Sequence, residues 1–468
     1  MPQNFLPCDR DQELLLPPSL RDWLPADHLA WFVTETVDEL ELEAFYAAYR
    51  ADGHGRAAHD PQMMLSLLVY AYSVGVRSAR QIERRCREDV AFRVITANQT
   101  PDHATIARFR VRHEAAIGDL FTEVLGLCAK AGLVKVGVVA VDGTKIAAAA
   151  THHQNRTYRQ IAEEILKEAG EIDAAEDELY GEKRGDELPE GFGTATERRA
   201  RLREAKLALE AERAAKAKKV PRERGKRLKE CRARLEQDLA LRRRVEAEHE
   251  AWREKGIASN GRRCMNPHYY RPAVLPDEPE GKLNVTDPDS RNLKTTRGYV
   301  QGYNAQALVG EGQIVIAAEI STESLDTGNL EPMVAKACEE LEAAGVSERP
   351  GVALADAGYW RNDAIEKIVN EHHIQTLIAP DADKRKGPRP GRRGGLYDFT
   401  RQILATDAGA QLYLKRQGMV EPVFAQIKSN RGFRRFSRRG RSAVRSEWRL
   451  LTATHNLLKL HQHQLRSA

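Results

Sequence analysis

The most constraining feature of the sequence is one aspartate set in an apolar run. Residues 136–141 read VGVVAV and lead into Asp142, and Gly143 follows before a short apolar exit that ends at Ala150. An apolar run that is mostly β-branched predicts a strand buried on both faces. A buried carboxylate costs free energy unless a metal ion or a hydrogen-bond donor stabilises it. Asp142 is therefore a candidate functional residue, although an aspartate that merely opens an Asp-Gly turn would also fit.

The elements predicted after this strand indicate an α/β fold. Two strands separated only by the turn at residues 310–312 predict a β-hairpin. Antiparallel strands followed by alternating helices and strands predict a mixed sheet covered on both faces. A final helix carries an apolar stripe from Val444 to Leu458 that we expect to pack against the core. The predicted elements are strands at 298–310, 313–320, 350–356 and 374–379, and helices at 330–344 and 361–371.

Residues 1–134 predict an all-helical domain. Pro61 suits the first turn of a buried helix, and residues 75–77 break that helix before a second one. A third helix from about His103 carries Arg108 and Arg110, and a fourth ends before Gly132. This arrangement resembles a helix-turn-helix bundle. Its arginines would either contact DNA or form the solvated face of a small helical domain.

A charged segment at residues 156–256 predicts a long helical insertion. It is rich in Ala, Glu, Lys and Arg, and breaks near 189–193 and 221–225 suggest two or three helices. A charged spacer or coiled coil is one interpretation. The basic excess between Arg213 and Arg234 favours phosphate contact as the other. The predicted organisation is thus a helical domain (1–134), an α/β core (135–440) interrupted by the insertion, and a C-terminal helix (441–468).

Composition narrows the function classes. The net charge of +5 is concentrated in basic clusters near 213–234, 384–393 and 431–445, as expected of a nucleic-acid binder. Six scattered cysteines without a C-x-x-C pair indicate reduced thiols and a cytoplasmic protein. No signal peptide and no apolar run near ~18 residues is present, which predicts no membrane partner. The absence of a G-x-x-x-x-G-K-[ST] motif predicts no nucleotide cofactor.

Two further carboxylates join Asp142 as candidates. Asp356 ends the predicted strand at 350–356, and Glu421 precedes Pro422, so we expect Glu421 to open a helix. Two aspartates on strands and a glutamate on a facing helix can converge at one sheet edge. Three oxygen ligands suit Mg²⁺, for which Mn²⁺ is an acceptable substitute. Two such ions about 4 Å apart would support phosphodiester displacement without an enzymic nucleophile.

Three motifs resemble those of bacterial insertion-sequence transposases of the DDE class. They are Val-Asp142-Gly-Thr-Lys, Ala-Asp356-Ala-Gly-Tyr and Val-Glu421-Pro-Val-Phe-Ala-Gln-Ile-Lys428, and the segments around His28 and His103 resemble the helical domain of that class. The resemblance implies a ribonuclease-H-like core whose three carboxylates are catalytic and bind metal. It further implies binding to terminal inverted repeats, cleavage and strand transfer on double-stranded DNA, a homodimer or higher oligomer, and a location at the bacterial nucleoid.

Many members of this class carry the pattern Tyr-x2-Arg-x3-Glu-x6-Lys. Tyr413, Arg416, Glu421 and Lys428 resemble it, although the interval between Arg416 and Glu421 is one residue longer. The resemblance implies that Lys428, with Arg416 and Tyr413, positions DNA phosphates. For Lys428 an ordinary surface lysine is the alternative.

A dense arginine cluster follows this motif. Phe433 and Phe436 alternate with the arginines and are expected to anchor them, so that the arginines contact the DNA backbone. The cluster comprises Arg431, Arg434, Arg435, Arg438, Arg439 and Arg441.

Several alternatives remain open at this point. The chain could be an inactive, transposase-derived DNA-binding or regulatory protein, or a nuclease-like scaffold dominated by the insertion. His152 with His153, and Cys264 with His268, are weak zinc candidates because neither pair has a matching second pair. Trp360 is expected in the core, with stacking on an unpaired base as the alternative.

Overall fold

The computed structural model describes residues 19–49, 57–180, 222–255, 275–295, 298–381 and 394–467. They form two compact units. The first takes in the described residues of Met1–Ala148 and Leu293–Ala468, and the second those of Ala149–Asn292. The predicted boundary at residue 134 therefore does not separate two units, because the N-terminal helices and the sheet belong to the same one.

A mixed sheet organises the first unit, as the sequence predicts. Its strands are β1 (Lys135–Ala147), β4 (Arg291–Thr295), β5 (Gly298–Glu311), β6 (Val315–Ser321), β7 (Val352–Ala355) and β8 (Gln375–Ile378). The strand order is β4-β5-β1-β7-β8, and β6 also pairs with β5. Strands β1, β5 and β6 run antiparallel to their neighbours in this group, whereas β7 and β8 continue from β1 in parallel.

Most of the helices predicted for the first unit are present in the structure. The helices of this unit are α1 (Leu29–Asp38), α2 (Glu43–Tyr46), α3 (Pro61–Ser73), α4 (Ala79–Glu88), α5 (Val90–Ile95), α6 (His103–Arg112), α7 (Glu114–Lys130), α10 (Leu330–Ala343), α11 (Asn362–Lys367), α12 (Gly395–Leu404), α13 (Asp407–Ala425) and α14 (Arg441–Ser467). Helix α14 packs against α7, α3 and β6, which confirms the predicted core-facing stripe. Trp448 of this stripe is fully buried, and its indole N–H donates to the Gln306 carbonyl at 2.9 Å.

A buried ion pair joins three of these helices. Arg449 of α14 and Glu340 of α10 lie 2.6 Å apart, with side chains only 4% and 3% exposed. Arg449 also donates to the Gly118 carbonyl at 2.7 Å and to the Thr122 hydroxyl at 3.1 Å, both on α7. The N-terminal helices are thus joined to the sheet's covering helices through satisfied buried charges.

Helix α14 also covers the free side of β6. The Asn456 side chain accepts from the Val315 N–H at 2.8 Å and donates to the Val315 carbonyl at 2.8 Å. A side-chain amide here makes the two hydrogen bonds that a neighbouring strand would make.

Helix α13 corrects the expectation that Glu421 opens a helix. The helix begins at Asp407 and contains Pro422, so Glu421 lies in its last turns. Proline lacks the N–H that would bond the carbonyl four residues earlier. That carbonyl, on Gly418, instead accepts from Gln313 Nε2 in the β5–β6 turn at 3.1 Å. A partner distant in sequence therefore makes the proline tolerable.

The second unit contains α8 (Tyr158–Tyr180), α9 (Arg222–Lys255) and a two-stranded sheet of β2 (Asn155–Thr157) and β3 (Lys282–Asn284). Its small core comprises Ile161, Leu228, Cys231, Leu235, Leu283 and Val285. The unit extends beyond the predicted 156–256 and is not purely helical. The predicted break at 189–193, the zinc candidates Cys264 and His268, and the basic cluster at 384–393 lie outside the described residues. Among the described helices, none combines the length and apolar composition needed to cross a bilayer.

Candidate active site

Two of the predicted carboxylates are neighbours in the sheet. Asp142 lies within β1, which continues unbroken to Ala147, so the Asp-Gly turn interpretation is wrong. Strand β1 pairs in parallel with β7 through Ala140 and Leu354. Continued by two residues in each strand direction, this register places Asp142 beside Asp356, which immediately follows β7.

The surroundings of Asp142 disfavour its charge. Burial, with Asp356 and Asp326 nearby, raises the pKa of Asp142 from 3.8 to about 6, despite opposing contributions from Gly143 and Arg416. The Gly143 N–H donates to Oδ1 at 2.7 Å, and Arg416 Nη1 lies 3.2 Å from Oδ2. A buried carboxylate beside like charges is the arrangement that a cation stabilises.

Asp356 is held by the turn that follows it. It precedes a 3-10 turn, Ala357–Tyr359, and its Oδ1 accepts from the Gly358 N–H at 2.8 Å. Trp360, just after this turn, is buried, as expected of a core tryptophan.

A third aspartate, Asp326, was not predicted from the sequence. It lies in the loop between β6 and α10, and its Oδ1 accepts from Asn304 Nδ2 at 2.7 Å and from Gln306 Nε2 at 2.9 Å. Gln306 in turn accepts from the buried Tyr359 hydroxyl. Asp326 lies in a polar loop, where the sequence has no periodic hydrophobic pattern to mark it. Only the polar residues Asn304 and Gln306 within an otherwise apolar strand could have suggested a buried polar partner.

Helix α13 brings two of its predicted basic residues to β1. Arg416 pairs with Asp142, and its guanidinium carbon lies 5.7 Å from the ring centre of Tyr413. Lys428, in the π-helical turn after α13, donates to the Thr144 hydroxyl and to the Lys145 carbonyl. Burial lowers the pKa of Lys428. Lys428 is therefore not an ordinary surface lysine.

Glu421 is the predicted carboxylate that this structure does not bring to the other two. Its side chain is exposed and makes no hydrogen bond or ion pair with the residues described. At about 100° per residue, Glu421 projects roughly 140° away from Arg416 on the helix. Arg416, rather than Glu421, thus faces Asp142 in this conformation.

The carboxylates of Asp142 and Asp356 are chemically suited to bind a divalent cation. Carboxylate oxygens are preferred ligands of Mg²⁺ and Mn²⁺, and the Asn304 Oδ1 atom beside Gly143 is buried without a hydrogen-bond partner. Within the described ranges, however, no three His, Cys, Asp or Glu side chains are arranged to hold one ion. His152 and His153 therefore gain no third ligand there.

Two segments of the chain match models of known protein families. Residues 18–112 match a transposase domain (DUF772), and residues 396–461 match a transposase DDE domain that includes Glu421 and Lys428. These two matches support an insertion-sequence transposase of the DDE class. No significant match was found among curated proteins or among solved structures. Asp142 and Asp356 of the transposase lie outside both matched segments.

The arginine cluster of the transposase divides into buried and exposed members. Phe433 and Phe436 are fully buried and anchor the segment, as predicted. Arg431 is also buried and donates to the Thr454 hydroxyl at 2.7 Å and to the Leu451 carbonyl at 3.2 Å. Arg438 binds Glu114. Arg434, Arg435, Arg439 and Arg441 are exposed.

A similar division applies to the N-terminal arginines. Arg110 is buried, where it donates to the Tyr72 hydroxyl at 3.2 Å and to the Arg77 carbonyl at 3.0 Å, whereas Arg108 is exposed. A guanidinium enclosed by protein acceptors cannot reach a phosphate. The expected DNA contact is therefore not retained for Arg110 and Arg431, whose roles are structural.

The stability of the metal-free transposase should depend on pH through the ionisation of Asp142. Because folding raises the pKa of this group to about 6, the folded state holds the proton more tightly than the unfolded state. This contribution to the free energy of unfolding is fully present below about pH 4 and is lost as the pH rises through 6, by at most about 3 kcal/mol. In EDTA, Asp142→Asn should therefore be more stable than the wild type at pH 7.5 and equally stable near pH 4. Urea unfolding at the two pH values checks this, and a variant less stable than wild type at pH 7.5 contradicts it.

Gly143 should not tolerate a side chain. A Cβ atom there would lie 2.2 Å from Gln306 Nε2, 2.8 Å from Asn304 Oδ1 and 2.9 Å from Asp326 Oδ1. We expect Gly143→Ala to lower the free energy of unfolding by about 1–3 kcal/mol. Gly137→Ala on the same strand is the matched control, because its Cβ would meet only Glu311 Oε2 at 3.9 Å. Equal stability of the two variants in urea would contradict the expected crowding.

Proposed function

We propose that this transposase binds the terminal inverted repeats of its insertion sequence and catalyses metal-dependent strand cleavage and strand transfer. The observation that carries the proposal is the placement of Asp142 beside Asp356 on parallel strands, with Arg416 and Lys428 on the adjoining helical segment. Acidic and basic groups side by side suit a site that holds both a cation and a DNA phosphate.

In this proposal, Asp142, Asp356 and Glu421 would hold two Mg²⁺ ions, for which Mn²⁺ is an acceptable substitute. Held by these residues, the ions would supply activation of a water or 3′-hydroxyl and stabilisation of the leaving oxygen of the phosphodiester. Arg416 leaves Asp142 Oδ2, and α13 turns to present Glu421. Pro422, directly after Glu421, and the π-helical turn Gln426–Asn430 support such a movement, because both interrupt regular helix hydrogen bonding in this segment.

DNA contact is assigned to exposed basic residues. Arg434 and Arg435 adjoin the end of β1, where Arg435 Nε donates to the Ala148 carbonyl at 2.9 Å, and the exposed Arg439 follows in the same segment. Arg108 is the exposed candidate in the N-terminal helices. Lys428, with Arg416 and Tyr413, positions the phosphate beside the cations. Action on two element ends calls for a homodimer or higher oligomer on DNA.

The test is a cleavage assay on a plasmid that carries both ends of the element. We expect nicks or breaks at the element ends with Mg²⁺ or Mn²⁺ and no product with EDTA. A matched plasmid with scrambled ends controls for non-specific nuclease activity. Equal cleavage of both plasmids, or cleavage in EDTA, would contradict the proposal.

A second candidate function is that of a DNA-binding regulator without nuclease activity. The exposed position of Glu421, away from Asp142, favours it. This candidate predicts no cleavage of the plasmid under any divalent-cation condition, although a mobility-shift gel would show binding to DNA that carries the element ends.

A further inference from the structure

We propose that Asp326 is a positioning residue of the cation site, which holds Asp142 and Asp356 in register through a hydrogen-bond chain. This inference rests on the proposed metal-dependent function and adds a residue that lies outside the three motifs. The chain runs from Asn304 through Asp326 and Gln306 to Tyr359.

Asp326 lies against both halves of the site. Its Oδ1 would be 2.9 Å from a Cβ on Gly143, the residue after Asp142. Its own Cβ would be 3.9 Å from a Cβ on Gly358, whose N–H is bonded to Asp356. The Asp326 side chain therefore packs both on the glycine that follows Asp142 and on the glycine whose N–H donates to Asp356.

The missing side chain of Gly143 is what permits this chain. Gln306 Nε2 would lie only 2.2 Å from a Cβ at that position, so the Gln306 amide fills the space that a side chain on β1 would need. From there, Gln306 accepts from Tyr359, which ends the turn begun by Asp356. The chain thus connects β5 with the turn after β7 across β1.

Asn304 indicates that the network is completed by a ligand of the site. It is fully buried, and its Nδ2 donates both to Asp326 and to the Glu323 carbonyl at 3.3 Å. Its Oδ1 has no partner among the described residues, and a buried unpaired acceptor costs free energy. Water brought in with a bound cation would supply the missing donor.

Residues that orient metal ligands contribute to metal affinity without touching the metal. Loss of such partners typically lowers metal affinity by about 10–100-fold. We expect Asp326→Ala to weaken Mn²⁺ binding by that factor. Asp326→Asn, which keeps an acceptor for Asn304 and Gln306, should recover most of the affinity. Tyr359→Phe, which removes the far end of the chain, should show a smaller loss in the same direction.

The experiment titrates the full-length protein with Mn²⁺ and measures free Mn²⁺ by electron paramagnetic resonance. Glu323→Ala is the matched control, since Glu323 is exposed, lies in the same loop and uses only its carbonyl in the network. Thermal unfolding in EDTA accompanies each variant, because a purely structural role would lower the melting midpoint and leave Mn²⁺ affinity unchanged. If Asp326→Ala does not fold, Tyr359→Phe carries the test, because it removes the hydrogen bond at the far end of the network.

The outcomes separate this inference from the proposed function. Unchanged Mn²⁺ affinity in Asp326→Ala and Tyr359→Phe, with affinity lost in Asp142→Asn, overturns the role of Asp326 alone. Equal losses in Asp326→Ala and Glu323→Ala also overturn it, because loop charge alone would then explain them. Absence of Mn²⁺ binding by the wild type overturns both proposals.

Discussion

Asp142→Asn should reduce cleavage at the element ends by about a thousandfold or more. Asparagine has nearly the same shape but lacks the charge that holds a divalent cation beside Asp356. A thousandfold loss corresponds to about 4 kcal/mol of transition-state stabilisation, which is reasonable for a group that binds the activating metal. The rate of end cleavage under single-turnover conditions measures it.

The same variant should keep its fold and its DNA binding. The pKa of Asp142 is already raised towards neutrality, so a neutral side chain suits this position in the metal-free protein. Asp363→Asn is the matched control, because it makes the same chemical change at an exposed carboxylate after β7 that pairs with the exposed Arg361. If Asp142→Asn cleaves at the wild-type rate, or if both variants lose cleavage activity equally, Asp142 has no place in the catalytic site.

Arg449→Ala should cause the largest loss of stability. The substitution leaves the Glu340 carboxylate buried without its main counter-charge and leaves the Gly118 carbonyl and the Thr122 hydroxyl short of a donor. Breaking one side of a buried pair typically lowers the free energy of unfolding by about 3–5 kcal/mol. Urea unfolding followed by circular dichroism measures the change.

Two comparisons make the Arg449 result specific. Arg361→Ala breaks an ion pair whose side chains are 53% and 70% exposed, and it should cost no more than about 1 kcal/mol. The double variant Arg449→Met/Glu340→Met removes both charges and should recover much of the loss. A double variant as unstable as Arg449→Ala would show that packing, rather than the unpaired charge, accounts for the effect.

The sheet and the aspartate pair could be predicted because their signals are local. The apolar run before Asp142 and the Gly-rich turn at 310–312 specify strands and a hairpin from adjacent residues alone. Parallel pairing of β1 with β7 then brings Asp142 and Asp356 together, since both follow apolar segments of the same kind.

The position of Glu421 could not be predicted in the same way. Proline usually marks the first turn of a helix, yet Pro422 lies inside α13 because Gln313, far away in sequence, bonds the carbonyl that proline leaves free. A rule based on neighbouring residues contains no information about such a partner.

The arginines show a second limit. Arg431 and Arg434 belong to one basic run, but the backbone places Arg431 among acceptors from α14 and leaves Arg434 exposed. Charge density in a sequence indicates a basic segment, whereas tertiary contacts decide which of its members can meet a phosphate. Asp326 was missed for a related reason, because its partners Asn304 and Gln306 come from another strand.

The amide of Asn456 has a consequence for self-association. By bonding both backbone groups of Val315, it occupies part of the side of β6 that β5 leaves free. An uncovered strand edge is a template for pairing with another chain. The C-terminal helix therefore protects the transposase against edge-to-edge aggregation as well as supplying core residues, and a chain shortened before Asn456 would lose solubility along with stability.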